Sequence, residues 1–299
     1  MKTLLQCVAG GEILISDGAM GTLLHAQGLS AGECPESWCL SHADVVAGIA
    51  EAYVAAGADV VETNSFGGNA FKLKAYGLGD KVGIFNRAAA SLAKMAVHEN
   101  GYVAASAGPT GQIVEEEGGE VTAAQMYEAF KEQVIALAEG GADAICVETM
   151  WSAREAEQAV RAVKENTDLP AICTFTFDAG VKGFRTTMGV TPERAARVAL
   201  GAGADVVGAN CGNGIAQMIE ITRQMRAAAP QTPILIQANA GVPVLEDGVT
   251  VFKETPEYMA SRVEELIAAG ANIIGGCCGT TPQHISALAA AVRRLAANR

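Results

Sequence analysis

The sequence predicts an α/β fold, a single (β/α)8 TIM barrel, and three observations carry that expectation. Eight apolar runs of strand length recur along the 299 residues, and alanine-rich helical patterns lie between them. A short grammar repeats where helices give way to strands. The polar residues inside the runs gather at their C-terminal ends, which is where a barrel of this kind keeps its chemistry.

Taken in order, the first run is "EILISDGAM" (12–20), which ends in Asp17 and a glycine turn. The second, "ADVVETNSF" (58–66), carries Glu62 and Asn64, and the third is "GYVAASAG" (101–108). "ADAICVETM" (142–150) holds Glu148, and "PAICTFTF" (170–177) is the fifth. "ADVVGANC" (204–211) ends in Asn210 and Cys211, "PILIQANAG" (233–241) carries Asn239, and "ANIIGGCCG" (271–279) closes on Cys277 and Cys278. Amphipathic stretches such as "DVVAGIAEAYVAAG" (44–57) and "TAAQMYEAFKEQVIALAEGG" (122–141) separate them. "AAGADVV" (55–61), "EGGADAI" (139–145), "GAGADVV" (201–207) and "AAGANII" (268–274) share one pattern: a helix stops at glycine and a buried strand begins within a few residues. Continuous apolar strands alternating with helices imply a parallel sheet covered on its faces. An open doubly wound sheet is the alternative topology. No stretch has linker composition, so residues 1–299 read as one domain.

Half of the residues are hydrophobic and 18% are charged, enough to bury a large core. The formal net charge of −12 argues against a nucleic-acid partner, whose phosphates call for a basic surface. At the N-terminus the apolar run is broken by Gln6, Gly10, Gly11 and Glu12, so a signal peptide is not expected. No window is long enough to span a bilayer, and the expectation is a cytoplasmic protein without membrane contact. There the eight cysteines read as thiols or metal ligands and not as disulfides.

"GANCG" and "GGCCG" place Cys211, Cys277 and Cys278 at the ends of two strands, beside glycines. Adjacent cysteines rarely bond to each other, because the ring is strained. Three thiolates with a vacant position suit a catalytic zinc, which is tetrahedral and keeps a site for substrate. Small buried side chains are the competing reading, and on pattern alone both stand. Cys7, Cys146 and Cys173, in or near apolar runs, fit the buried reading. Cys34 and Cys39 in "GECPESWCL" offer a further, less favoured metal pair. The histidines at 25, 42, 98 and 284 lie off the strands, and no lysine stands at a strand end, which counts against a lyase or aldolase. A structural zinc protein is disfavoured by the lack of a fourth cysteine ligand.

"DGAMGT" (17–22), "ETNSFGGN" (62–69), "GPTG" (108–111), "ANCG" (209–212) and "GGCCGT" (275–280), in that order over nearly the whole chain, resemble the homocysteine S-methyltransferase family. The likeness is to the branch that forms the homocysteine domain of cobalamin-dependent methionine synthase. It implies that Cys211, Cys277 and Cys278 bind Zn2+ and that the homocysteine thiol takes the open position. It further implies that Asp17 with the backbone of Gly18, Ala19 and Met20 holds the amino acid, and that Glu148 binds its ammonium. A free thiol, with a pKa near ~8.5, is mostly protonated at neutral pH and a poor nucleophile, so activation by a metal makes chemical sense.

The donor the resemblance implies is a methylated corrinoid such as methylcobalamin. With no cobalamin module in the chain, it is expected on a separate corrinoid protein or another domain. A small sulfonium or ammonium donor, such as S-methylmethionine, is the alternative. A cage for such a cation needs aromatic faces, and only 5% of the residues are aromatic, with Trp38 and Trp151 as possible contributors.

Overall fold

The computed structural model describes residues 2–97, 101–246 and 249–297. Its eight parallel strands fall inside the eight apolar runs: β1 (Leu14–Ile15), β2 (Val60–Glu62), β3 (Tyr102–Ala107), β4 (Ala144–Met150), β5 (Ala171–Phe175), β6 (Val206–Asn210), β7 (Ile234–Ala238) and β8 (Ile273–Gly276). The hydrogen-bonded order is β1-β8-β7-β6-β5-β4-β3-β2. A parallel bridge between Ser16 and Val60 joins the two ends, so the sheet curls into a barrel and the open alternative falls away.

Backbone chemistry at the junctions explains the repeated grammar. Gly57, Gly141, Gly203 and Gly270, with φ of 102°, 99°, 100° and 116°, turn the chain left-handed before the next strand. Helix starts are fixed from the other side. Thr122 forms a capping box with Gln125, while Thr191 and Thr255 cap helices that begin with proline.

Inside the barrel, Leu14, Val60, Tyr102, Ile172, Val206 and Ile273 form one apolar cluster with Leu4, Cys7 and Val8. Those last three come from the short helix Leu4–Ala9, so this helix stoppers the end where the strands begin. Tyr102 donates from its hydroxyl to the Lys2 carbonyl at 2.7 Å and lies 3.3 Å from Cys7 Sγ. The opposite end is left for polar residues. Two antiparallel hairpins leave that end after β5 and β7, at Asp178–Gly180 with Gly183–Arg185 and at Val244–Glu246 with Val249–Val251. The sequence reading did not anticipate them. Among the described residues no helix is long and apolar enough to cross a membrane.

Closure depends on bare backbone where β8 meets β1. A Cβ on Gly275 would stand 2.7 Å from Ser16 Cβ and 2.8 Å from the Asp17 carbonyl oxygen. We expect Gly275→Ala to cost about 2 kcal/mol or more in denaturant unfolding, since neither neighbour can give way without disturbing the bridge. Gly48, on an exposed helix face with open space around it, is the control. There alanine should add ~0.5–1 kcal/mol.

Candidate active site

Strand β7 sets the height of the three thiols. Cys211, one residue past β6, donates its amide to the Gln237 carbonyl at 3.1 Å, and Cys277, one residue past β8, donates to Ala238 at 2.8 Å. The two chains therefore leave the sheet side by side, separated only by β7. All three sulfurs lie within 4.8 Å of one another, and Cys211 Sγ is 3.7 Å from Cys278 Sγ. Each is partly exposed, whereas the other five cysteines are buried.

The donor set fits a thiophilic tetrahedral cation. Zinc–sulfur bonds of about 2.3 Å place two tetrahedral sulfurs about 3.8 Å apart, close to the separation observed. Asn239, from the end of β7, also hydrogen-bonds Cys211, and its Oδ1 is buried without a partner. A buried acceptor oxygen in that state, on a side chain that meets Cys211, is an unused lone-pair donor at the edge of the trio. Hydrogen bonds from Cys277 and Cys278 pull the Cys211 thiol down to about 3. The same negative sulfur pushes Cys277 and Cys278 up. Negative charge on one sulfur is thus favoured at the expense of the other two. Among the described residues this is the one grouping of three His, Cys, Asp or Glu side chains able to hold a metal ion.

Beneath the thiols lies a ring of acids. Asp17 is 1% exposed and accepts from the Glu62 amide at 2.8 Å. Glu148 is also buried, accepting from Ser106 Oγ and from Asn210 Nδ2, the latter at 3.0 Å. Burial pushes both carboxyls up to about 7, against the pull of those hydrogen bonds. Burial together with the charges of Glu148 and Asp17 raises Glu62 as well. No lysine or arginine pairs with any of the three among the described residues.

Asn210 ties the acids to the thiols. Fully buried, it accepts from the Thr149 amide at 2.8 Å and from Thr174 Oγ1 at 2.7 Å, while Nδ2 donates to Glu148 and Thr149 and approaches Cys277 Sγ at 3.9 Å. Thr149 and Cys211, the residues that flank this knot, are the only non-glycine residues with positive φ among those described, at 59° and 61°. Strain of this kind persists where surrounding contacts over-determine the backbone. Thr280 is a second tie: its Oγ1 donates to the Cys277 carbonyl and accepts from the Ala19 amide at 3.2 Å. The Ala19 amide, one of the donors assigned to the substrate, is thus engaged within the chain. Gly18 and Met20 border the same turn, and Met20 opens the helix Met20–Ala26.

Other candidates fall away from the mouth. Cys34 and Cys39 are buried, hydrogen-bonded to Glu36 and to the Asn64 carbonyl, and belong to no grouping of three metal-ligating side chains among the described residues. Trp38 is buried and stacked on His42 at 4.2 Å between centroids, which removes it from any cation cage. His25 is exposed and bonds the Leu29 carbonyl, His284 is clamped between Thr281 and the Glu254 carbonyl, and His98 lies outside the described residues. Ser106 carries no motif signal, and Asn210 is marked only by its place in "ANCG" at a strand end.

A family model described as homocysteine S-methyltransferase matches residues 14–292. The chain is 32% identical to the methionine synthase of Mycobacterium tuberculosis over 307 residues, covering 96% of this chain and 25% of that protein. The methionine synthase of Mycobacterium leprae is likewise 32% identical, with 95% and 24% covered. The chain therefore spans about a quarter of the length of these relatives. Among solved structures, the metallated form of the homocysteine methyltransferase MmuM from Escherichia coli superposes with a TM-score of 0.78 at 22% identity. That match covers 93% of this chain and 96% of the other, and shows the same fold.

The raised carboxyls have a consequence for stability. An acid that holds its proton more tightly when folded makes the native state bind more protons than the unfolded chain between the two pKa values. Stability then falls as pH rises through that window. For Asp17 and Glu148 it runs from the ordinary carboxyl range to about 7. Thermal melts of the metal-free protein should therefore drop more steeply between about pH 5 and 7 in wild type than in Glu148→Gln. Parallel curves would contradict this.

Proposed function

The chain belongs to the homocysteine S-methyltransferase family, and from that premise we propose that it is a zinc-dependent enzyme transferring a methyl group from a methyl-corrinoid to the thiol of homocysteine, giving methionine. One observation carries the reading: three cysteines from two strand ends bring their sulfurs within 4.8 Å of one another, and Asn210 links them to the buried Glu148. Residues 1–299 act in it as a single homocysteine-binding barrel domain.

Cys211, Cys277 and Cys278 would hold the zinc, with Asn239 within reach of the same point. Zinc, when bound, supplies the Lewis acidity that lowers a thiol's pKa into the neutral range. The protein does the rest. Asp17 and Glu148 receive the ammonium of the amino acid, and the turn Gly18–Ala19–Met20 receives its carboxylate through the amides of Gly18 and Met20, the Ala19 amide being held by Thr280. Asn210 holds Glu148 at a fixed height below Cys277, so that an amino acid anchored by its ammonium presents its sulfur to the thiols. The sulfur's electron pair then forms the new S–C bond, and the departing donor keeps the pair of the bond that breaks.

The donor assignment rests on likeness to proteins named methionine synthase. Aromatic rings do stand near the thiols: the partly exposed Phe252 packs against Gly279, next to Cys278, and Trp151 follows β4 directly, with the 42%-exposed Phe66 past β2, while Trp38 is sealed away. The methylated corrinoid would be presented on another protein or domain. S-methylmethionine or a similar small cation is the alternative.

Two measurements test this. Metal analysis after dialysis should find one zinc per chain, most of it lost in Cys278→Ala and retained in Cys146→Ala and Cys173→Ala, whose sulfurs are buried elsewhere. Full retention in Cys278→Ala would refute the ligand set. Zinc-loaded protein with homocysteine should turn over methylcobalamin slowly at high concentration and S-methylmethionine hardly at all. Rapid turnover of S-methylmethionine alone would move the donor assignment to the small cation.

A further inference from the structure

Glu254, past the hairpin that follows β7, has no part in the proposed reaction, yet three of the loops at the mouth meet on it. Helix Ile215–Ala228 opens directly after the segment Cys211–Gly214, and its N-cap, Gly214, makes no side-chain capping bond. Glu254, 39 residues further along the chain, supplies one: its Oε2 accepts the Ile215 amide at 3.1 Å. A carboxylate there also meets the positive end of a 14-residue helix. Gly214 is bare for the sake of this contact and not for its backbone. Its φ of −79° and ψ of 176° suit any residue, but a Cβ would overlap Glu254 Oε1.

The backbone of the same residue ties in the other two thiols. Its amide donates to the Ala240 carbonyl at 2.9 Å, and the Ala240 amide donates to the Cys278 carbonyl at 3.0 Å. His284 Nδ1 accepts from the Thr281 amide, so Nε2 carries the proton and donates to the Glu254 carbonyl at 3.0 Å. That histidine lies in the first turn of helix Pro282–Ala297, which follows Cys277 and Cys278. One residue thus joins the loops after β6, β7 and β8. Resting on the zinc reading above, we infer that Glu254 is a positioning residue, which fixes Cys211 relative to Cys277 and Cys278 before a metal binds. Cys211 and Gly212 stand at φ of 61° and 73°, a left-handed pair that surrounding contacts must hold. With the helix end released, the segment relaxes, and metal binding has to supply the lost order. Groups one step removed from a metal's ligands set its affinity in this way.

The test is zinc affinity, measured by competition with a chromophoric chelator, together with the absorption spectrum of the cobalt-substituted protein. Glu254→Ala should weaken zinc about 10–100-fold and alter the sulfur-to-cobalt bands. Glu254→Gln, which keeps an acceptor for the Ile215 amide but no charge, should fall between it and wild type. Gly214→Ala, which displaces the carboxylate, should weaken zinc on its own and add little to Glu254→Ala. The comparison is Thr191→Ala, which removes the side-chain cap of helix Pro192–Ala202, a helix that follows no cysteine of the trio. It should lower the thermal midpoint of the metal-free protein much as Glu254→Ala does, and leave zinc affinity unchanged. Wild-type zinc affinity in Glu254→Ala would overturn the assignment, as would an equal loss in Thr191→Ala, the mark of general destabilisation. If wild type itself takes up no zinc, the metal reading fails, and this assignment fails with it for a distinguishable reason.

Discussion

Two backbone hydrogen bonds to one strand hold the candidate site together. β7 accepts from Cys211 on one side and from Cys277 on the other, at adjacent carbonyls. Because side chains alternate along a strand, a slip of one residue on either side would turn a cysteine out of the cluster. The pairing of Asn210 with Gln237 and of Gly276 with Ala238 prevents it. β8 in turn must lie flush against β1, which explains why bare glycine occupies position 275. Thiols drawn from positions 66 residues apart, Cys211 and Cys277, are thus brought together by sheet register and not by any local hook such as CxxC.

Much of this was legible because it rests on periodicity and punctuation. The apolar runs, the glycines at 57, 141, 203 and 270, and the placement of polar residues at run ends can all be read one residue at a time. Runs overstate strands, however: β1 occupies two residues of a nine-residue run, because Ser16, still bonded to Ile274, bridges to Val60 to close the barrel and Asp17 takes the Glu62 amide on its carboxylate. The Leu4–Ala9 stopper was invisible, since a six-residue apolar segment has no period of its own and gains its meaning from the barrel it fills. The hairpins after β5 and β7 were missed for a similar reason, being short and exposed.

The candidate site divides along the same line. Cysteines announce themselves by rarity. Asn210 is marked in sequence only as the neighbour of Cys211 in "ANCG", and nothing there shows its four hydrogen bonds to Thr149, Thr174 and Glu148. Its side chain spans β4, β5 and β6, and no sequence spacing encodes a contact among three strands. Thr280 closes "GGCCGT" in the same way, yet only the fold shows that it fastens the turn after β8 to the turn after β1.

Charge decides how these parts act together. Three sulfurs that resist full ionisation stand over three carboxyls that burial keeps near or above neutrality. Neither layer is comfortable alone. Positive charge placed on either layer would relieve it, and would also favour the ionised state of the groups in the other layer across the low-dielectric space between them. Asn210, which touches Glu148 and approaches Cys277, is the side chain that joins the two layers. Two cations held on the two layers at once would repel each other, so that any coupling between them is the balance of this repulsion against the ionisation each promotes, and by reciprocity it is the same factor in both directions. A positive group remote from the sulfurs can in this way favour their ionised state.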